Sequence, residues 1–387
     1  TVACPLYPPG AHLVYAAEMR LVGWSHHAAF LAVNCLWGAV VAPCAMLLAH
    51  RIVPRLPFSA SVGVVLAVWY PLLAFAGFFS SEQPYAGAIA LSAFFVVRLV
   101  ERAEMHVAVA AAVATSVAYL VRPQIVVTIA LLGVVAFAVF LRRRRTSTWR
   151  VAPFLVAAGL FSVTVGWGIV RFHHLGHRWG LISDNGALTR LWADTNYSRV
   201  VATWHAPDGE GVVFEFDSPP KAAIGDDHVL AFDGYVGAAT AIDRARRNEV
   251  FYETPRERVA RWASNVTLLF RTYELWPESV HHDVAWRKAS DDVSRRLLLG
   301  LLPFALVGVV SSLRRRTPVL VVCAAHVVTM AFVAAFFFGE QRYRVPYDVF
   351  LLLLAFEGVR WLGTDLAAAL ARRTRARLPD DGLRAPD

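Results

Sequence analysis

Apolar residues in this chain are concentrated in long runs that are separated by short polar segments. A helix needs about 20 mostly apolar residues to cross the hydrocarbon core of a bilayer. About nine runs approach that length, and they cover residues 28–50, 58–79, 86–100, 107–121, 123–141, 151–171, 297–313, 318–338 and 347–366. The pattern therefore predicts an all-α polytopic membrane protein with about nine transmembrane helices.

The number of spans depends on three of these runs. Residues 86–100 and 107–121 are short enough to be re-entrant or tilted helices. The two runs that flank Arg122-Pro123 are also compatible with one broken span, because proline interrupts a helix.

Residues 172–296 differ in kind from the apolar runs, because they are rich in Asp, Glu, His, Trp and Pro and contain turn signals such as Pro207-Asp208-Gly209. Residues 211–216 have the composition of a short strand, and residues 235–249 and 255–271 have the pattern of helices. The segment predicts a mixed α/β domain outside the bilayer.

The remaining chain divides around this domain. Residues 1–171 form an N-terminal transmembrane bundle that begins with Pro8-Pro9-Gly10 and a mildly amphipathic helix at 11–22, which we expect to lie on the membrane interface. Residues 297–366 form the C-terminal transmembrane helices. Residues 367–387 form an arginine-rich cytoplasmic tail.

Composition and charge support this division. Apolar residues make up 57% of the chain, mean hydropathy is +0.48, and the formal net charge is +9. The basic residues lie in clusters between apolar runs, as in cytoplasmic loops, and no basic and aromatic nucleic-acid-binding module is present. We therefore expect no nucleic acid partner and a multi-pass protein of a bacterial plasma membrane, with residues 172–296 on the extracytoplasmic side.

This orientation places the N-terminus outside, although no signal peptide precedes it. We therefore expect that at least one earlier span is missing from the chain, which would be N-terminally truncated. The four cysteines lack metal-binding spacing and are interpreted as packing residues.

Polar groups next to apolar walls are the first candidates for function in a membrane protein. Glu82 lies in the tight outer loop 79–85, where a carboxylate could act as a base or bind a metal or a sugar hydroxyl. The alternative is helix capping, in which Ser81 is the cap and Pro84 opens the next helix.

Arginines supply the second group of candidates. Arg122 stands between two apolar runs, and either pairs with an anion or extends to a lipid headgroup. Arg342 and Arg344 flank Tyr343 on the outer side, where the planar guanidinium group suits phosphate. The alternative is that these two arginines pair with the nearby carboxylates Glu340 and Asp348.

His173 and His177 have the i, i+4 spacing of a zinc pair on one helix face, and His174 lies between them. No neighbouring carboxylate or cysteine completes a ligand set. The sequence therefore assigns no metal site.

In their order and shared sidedness, these outer segments resemble those of the GT-C superfamily of membrane glycosyltransferases, especially bacterial families related to protein O-mannosyltransferases and aminoarabinose transferases. Residues 7–10 resemble the proline-rich segment near the end of their first outer loop. Residues 81–84 and 120–124 resemble their short outer turns, and residues 341–346 resemble their late Arg-Tyr-x-x-Pro element.

The resemblance implies an enzyme that transfers a sugar from a polyprenyl-phosphate donor to a glycan, lipid or protein acceptor within or beside membrane lipid. It implies a carboxylate that deprotonates or orients the acceptor hydroxyl and cations that bind the donor phosphate, with a divalent metal left open as a cofactor. These roles fall on Glu82 for catalysis and on Arg342, Arg344, Arg122 and Tyr343 for the phosphate.

The chain departs from the family pattern at one point. The main acidic residue of the family precedes the proline-rich segment, and residues 1–6 contain no Asp or Glu. Glu82 is then the nearest remaining candidate, and the catalytic carboxylate itself is expected to be missing. The alternatives to a glycosyltransferase are a transporter or lipid flippase, and a non-catalytic membrane scaffold.

Overall fold

The fold is described by a computed structural model, which covers residues 7–23, 25–76, 80–143, 151–186, 189–190, 197–205, 211–217, 228–233, 254–271, 285–315, 317–337 and 339–377. The first nine helices are α1 Pro9–Val22, α2 His27–Ala39, α3 Val41–Ile52, α4 Leu56–Ala67, α5 Tyr70–Ala74, α6 Glu82–Arg102, α7 Met105–Val121, α8 Ile125–Arg143 and α9 Ala152–Gly176. Three strands follow, β1 Tyr197–His205, β2 Gly211–Asp217 and β3 His228–Asp233. The last elements are α10 Pro255–Arg271, α11 Ala285–Arg315, α12 Pro318–Phe336, the one-turn α13 Gln341–Arg344, a 3₁₀ turn Val345–Tyr347, and α14 Asp348–Arg377.

The chain is a multi-pass, largely helical membrane protein. Six helical segments of the described residues are long and apolar enough to cross a bilayer, and they are Leu31–Ile52, Leu56–Ala74, Glu82–Arg102, Ala152–Gly176, Ala289–Arg315 and Pro318–Phe336. The other three predicted spans also coincide with helices. Two of these helices, α7 and α8, are apolar but shorter, and α14 covers the last predicted run.

Proline determines where several helices begin, because its fixed φ suits the first turn and its missing N–H is not needed there. Helices α1, α4, α9 and α12 all have proline at one of their first two positions. Pro123 acts on the residue before it, since Arg122 is extended with φ −148° and ends α7. The chain around Arg122-Pro123 therefore forms two helices joined by a turn.

The helix ends fall into two groups. At one end, hereafter the polar end, Arg122 contacts Ser81, and Trp69 donates to Asp348. At the other, the arginine-rich end, Arg51 pairs with Glu101. The loops that the sequence assigns to the same side thus meet in space.

The centre of the bundle is α6, whose first half is almost entirely buried against α2, α3 and α7. The most extensive packing elsewhere joins α11 to α14, where glycines allow the two backbones to approach closely. A Cβ on Gly308 would collide with the carbonyl of Leu354, and one on Gly358 would collide with the carbonyl of Phe304. Glycine is required there because no side chain fits between the helices.

Within residues 172–296, the described strands form a three-stranded sheet in the order β2-β1-β3. Strand β1 pairs antiparallel with β2 and parallel with β3. The strand predicted at 211–216 and the helix predicted at 255–271 are confirmed by β2 and α10. The helix predicted at 235–249 lies outside the described residues.

The predicted domain boundaries fall inside helices. Helix α9 continues past residue 171 to Gly176, and α11 begins at Ala285 rather than near residue 297. The helix predicted at 11–22 is confirmed by α1, which begins two residues earlier.

The α11–α14 packing predicts that Gly308→Ala destabilises the protein by about 1–3 kcal/mol, because the added methyl group must displace the backbone of α14. Thermal unfolding of the purified protein in detergent measures this loss. Gly300→Ala is the matched control on the same helix, because a Cβ there meets no atom within 4 Å. An unchanged midpoint for Gly308→Ala would contradict the close packing.

Candidate functional site

Five side chains from three separate segments meet at the polar end. This polar cluster consists of Glu82 at the start of α6, Arg122 between α7 and α8, and Glu340, Arg342 and Tyr343 around α13. Glu82 is 3% exposed and Arg122 is 8% exposed. The cluster is therefore mostly enclosed by protein, although each of its members comes from a turn at the end of an apolar helix.

Arg122 is the central member. Its Nη2 forms an ion pair with Glu82 and also donates to Ser81 Oγ at 2.8 Å, while Nε donates to the same oxygen at 2.9 Å. The guanidinium carbon lies 5.3 Å from the centroid of the Tyr343 ring. Its Nη1 is buried and has no hydrogen-bond partner among the described residues, so one donor remains open.

The local sequence explains this arrangement. Ser81 stands at the N-cap position of α6, but its side chain makes no capping hydrogen bond and its oxygen accepts from Arg122 instead. Glu82 is the first helical residue, where a carboxylate is favoured by the helix dipole. Ser81 thus occupies the N-cap position, as the capping interpretation predicts. Its hydroxyl group does not form the capping hydrogen bond that this interpretation requires.

Arg342 forms the second ion pair of the cluster. Its Nε lies 2.9 Å from Glu340 Oε2, and its Nη2 donates to the Tyr343 hydroxyl oxygen at 2.9 Å. The guanidinium also lies over the Tyr343 ring, 4.9 Å from its centroid. Tyr343 is therefore held between the guanidinium groups of Arg342 and Arg122.

Glu340 lies in the segment before α13, and its surroundings raise the pKa of its carboxyl group. Burial is the largest cause of this shift, and the negative charge of Glu82 raises the pKa further. The positive charges of Arg342 and Arg122 lower the pKa but do not cancel the increase. The side chain keeps 20% of its surface exposed. A proton can therefore reach it, and protonation would release Arg342 from its ion pair.

Arg344, the last residue of α13, does not belong to the polar cluster and is 1% exposed. It donates from Nε to Asp348 Oδ1 at 2.9 Å and from Nη1 to the carbonyl of Leu269 at 3.0 Å. Asp348 also accepts from the Trp69 indole at 2.8 Å. These contacts connect α13 to α10, α14 and the segment before α5. Arg344 therefore serves to hold these segments together.

A chain of tyrosine and amide groups continues from the cluster into the bundle. The hydroxyl groups of Tyr85 and Tyr347 lie 2.9 Å apart, and Tyr347 donates to Gln124 Oε1 at 3.0 Å.

His326 is stacked on Phe350, and its buried Nε2 has no hydrogen-bond partner among the described residues.

Sequence reasoning missed a carboxylate on α1. Glu18 is 4% exposed, its Oε1 accepts from the Trp37 indole at 3.2 Å, and its Oε2 is buried without a partner among the described residues. Burial raises the pKa of Glu18. On the same helix, Tyr15 donates to the carbonyl of Ser80, beside Glu82.

A signal for Glu18 was present in the sequence. It is the sole acidic residue in α1, and a single carboxylate in an apolar helix is expected to face a polar partner. The interfacial interpretation of that helix assigned no role to Glu18, whereas the helix packs against α2 and α7.

The predicted residues thus separate into two groups. Glu82, Arg122, Arg342 and Tyr343 lie together, whereas Arg344 is enclosed below them. The alternative pairing of Arg342 with Glu340 and of Arg344 with Asp348 is confirmed by the two ion pairs. Arg122 pairs with Glu82 and is buried, so extension to a lipid headgroup is wrong for this residue.

The histidine cluster is occupied by protein contacts. The His173 ring stacks on Trp179 with 4.1 Å between centroids, and its Nδ1 lies 3.3 Å from the carbonyl of Arg178. His177 ends α9 with a positive φ of 52°. Throughout the described residues, no group of three or more His, Cys, Asp or Glu side chains is arranged to hold a metal ion.

No family model, curated protein or solved structure matches this chain. The function is therefore argued from the geometry of the polar end and from the sequence resemblance.

The contacts of Asp348 predict that Asp348→Asn destabilises the protein by about 3–5 kcal/mol, because Arg344 is left as an uncompensated buried charge. Asp292→Asn is the matched control. Asp292 pairs with Arg295 at the surface of α11, and loss of an exposed pair costs no more than about 1 kcal/mol. Unfolding midpoints of the two variants test the prediction, and equal losses would contradict it.

Proposed function

We propose that the chain is a membrane glycosyltransferase that moves a sugar from a polyprenyl-phosphate donor to an extracytoplasmic acceptor. The observation that carries this proposal is the convergence of two arginines, a tyrosine and two carboxylates at one end of an apolar helix bundle. A lipid phosphate combines a charged group with an apolar chain, and a charged cluster at the end of apolar helices would suit both parts. Guanidinium groups are the side chains best suited to bind such a phosphate.

In the proposed mechanism, the acceptor hydroxyl oxygen attacks the anomeric carbon of the donor sugar. The bond between that carbon and the phosphate oxygen breaks, and the lipid phosphate leaves with the electron pair. A carboxylate accepts the hydroxyl proton. Arg122 and Arg342 stabilise the charge that develops on the phosphate, and Tyr343 keeps the two guanidinium groups apart.

The charges of the cluster limit how the phosphate can bind. Glu82, Arg122, Glu340 and Arg342 carry two negative and two positive charges, so the cluster is neutral while all four are ionised. Nη1 of Arg122 is buried and has no hydrogen-bond partner among the described residues, so a phosphate that enters the cluster could accept from it without displacing a carboxylate. Arg342 becomes available when the phosphate displaces Glu340 or when Glu340 is protonated. Donor binding is thus coupled to proton uptake by Glu340, and affinity should increase as pH falls through the raised pKa of that carboxyl group.

Two carboxylates compete for the role of the proton acceptor. Glu82, the residue indicated by the sequence, is fixed by Arg122 and serves in our proposal to position that guanidinium. One Glu18 oxygen has no hydrogen-bond partner among the described residues, and burial raises the pKa of the carboxyl group, which makes its carboxylate a stronger base. Arg344 was also assigned to the phosphate, but its enclosure beside Asp348 favours a role in holding α13 in place.

The finer topology belongs to the same proposal. Nine alternating spans would put the polar end on the extracytoplasmic face of a bacterial plasma membrane and the arginine-rich end in the cytoplasm. Residues 172–296 would then form a mixed α/β domain on the side of the site, where it could bind the acceptor. Its described strands and helix α10 are compatible with that composition.

The first test is sugar transfer from a polyprenyl-phosphate donor by the protein, expressed from its full open reading frame and reconstituted in liposomes. We expect transfer by the wild type, and about a tenfold or greater loss of donor affinity for Arg342→Ala, because a charge-assisted contact to the phosphate is removed. Arg20→Ala, which removes an exposed arginine of α1, is the control and should transfer normally.

Glu340→Gln is the matched change in the opposite direction. It removes the carboxylate that competes for Arg342, so donor affinity should increase and lose its pH dependence. Absence of transfer by a well-inserted wild type with any donor would favour a transporter, flippase or scaffold. Unchanged donor affinity in Arg342→Ala would remove this residue from the mechanism.

The two carboxylates are distinguished by the pH dependence of transfer. Glu18→Gln should lower kcat by about 10²–10⁴-fold and abolish the acidic limb of the pH profile, as expected for a general base. Glu82→Gln should instead raise the KM for the donor, because Arg122 loses the partner that positions it. The reverse pattern would assign the base to Glu82.

A further inference from the structure

A second group of arginines gathers at the arginine-rich end, at the opposite end of α6 from Glu82 and the polar cluster. Arg51 at the end of α3 and Arg98 in the last part of α6 lie on the same aromatic ring, each with its guanidinium carbon 5.9 Å from the centroid of Phe94. Arg102, one turn after Arg98, is close enough to act electrostatically on Arg51, as Arg98 does. We call Arg51, Arg98 and Arg102 the basic triad.

The carboxylates of this region leave the basic triad short of negative charge. Glu101 pairs with Arg51. Glu104 lies 3.9 Å from Arg102 and is shared with His106 at 3.3 Å. Arg98 has no ion pair or hydrogen bond within the described part of the chain, and its Nε is buried.

A general preference for arginine in cytoplasmic loops does not require this geometry. That preference is satisfied by arginines that point separately into water. Here three like charges converge although they repel one another, and one of them has a buried donor without an acceptor. A bound anion would remove both costs, since it screens the repulsion and accepts from Arg98.

The surroundings indicate the kind of anion. Leu47, one turn before Arg51 on α3, is 43% exposed, and Val100, in the last turn of α6, is 44% exposed. Exposed apolar side chains at the ends of membrane-spanning helices face lipid chains. The basic triad therefore lies where a phosphate joins an acyl chain.

We propose that Arg51, Arg98 and Arg102 bind the phosphate of an anionic phospholipid at the arginine-rich end, in a site separate from the polar cluster. Arg98 supplies the donor that is otherwise unused, Arg51 supplies a second guanidinium already oriented by Glu101, and Arg102 supplies a third guanidinium at the exposed edge of the site. The site fixes the ends of α3 and α6 against each other. It requires no sugar transfer and is independent of the proposed function.

The experiment measures lipid binding to the purified full chain by native mass spectrometry, with phosphatidylglycerol and phosphatidylcholine compared at equal concentration. We expect preferential retention of phosphatidylglycerol. Arg98→Gln should weaken that retention by about tenfold, the loss of one charge-assisted contact. Arg102→Gln should weaken it in the same direction, and this residue is exposed enough that its replacement leaves the fold intact.

Arg314→Gln is the matched control. Arg314 is exposed at the same end of the bundle and lies over Trp361, away from the basic triad. Equal loss of phosphatidylglycerol in all three variants would show a diffuse charge effect and overturn the proposal, as would unchanged retention in Arg98→Gln and Arg102→Gln. Inorganic phosphate that raises the unfolding midpoint as much as phosphatidylglycerol does would assign the site to free phosphate rather than to a lipid.

Discussion

The free-energy cost of an uncompensated charge in an apolar bundle determines how this molecule is arranged. Among the described residues, three buried carboxylates are held in ion pairs: Glu82 with Arg122, Asp348 with Arg344, and Glu357 with Arg360. The first two pairs lie at helix ends, where the neighbouring turns supply further donors, whereas Glu357 and Arg360 lie within α14. Breaking such a pair costs more than the pair itself contributes, because the remaining partner stays buried.

The two pairs at the polar end have different consequences. Arg344 and Asp348 are fully enclosed and connect four segments, so they hold the polar end together. Glu82 and Arg122 leave one guanidinium donor open, and Arg342 is held by a carboxylate whose pKa is raised. The Arg344–Asp348 pair therefore supplies rigidity, while Arg122 and Arg342 can exchange an internal partner for a bound anion. An anion-binding site needs both kinds of group. The rigid Arg344–Asp348 pair keeps the neighbouring cations in place when an anion displaces their carboxylate partners.

Much of the fold follows from the sequence alone, because long apolar runs and first-turn prolines are local signals. Helices lie at all the predicted spans, and Arg122, Arg342 and Tyr343 could be placed at one end by counting alternations. The pairs of Arg342 with Glu340 and Arg344 with Asp348 were offered by the sequence, because their members are neighbours in the chain. The partner of Arg122 could not be predicted, because it depends on which helices are neighbours. Arg342 and Arg344 are two residues apart in sequence and similar in context, yet a half-turn of α13 puts one in the cluster and encloses the other. Glu18 was visible as the sole acidic residue of α1, but a mildly amphipathic pattern does not reveal that this helix packs against α2 and buries the carboxylate.

The most direct test of the central claim is photo-crosslinking with a polyprenyl-phosphate sugar that carries a diazirine next to the phosphate, applied to the protein in membranes. The account predicts crosslinked peptides from residues 119–124 and 339–347, with labelling that is lost in the presence of excess unmodified donor. Labelling confined to other segments, such as the ends of α3 and α6, or labelling that excess donor does not reduce, would contradict the assignment of the polar cluster as the donor phosphate site.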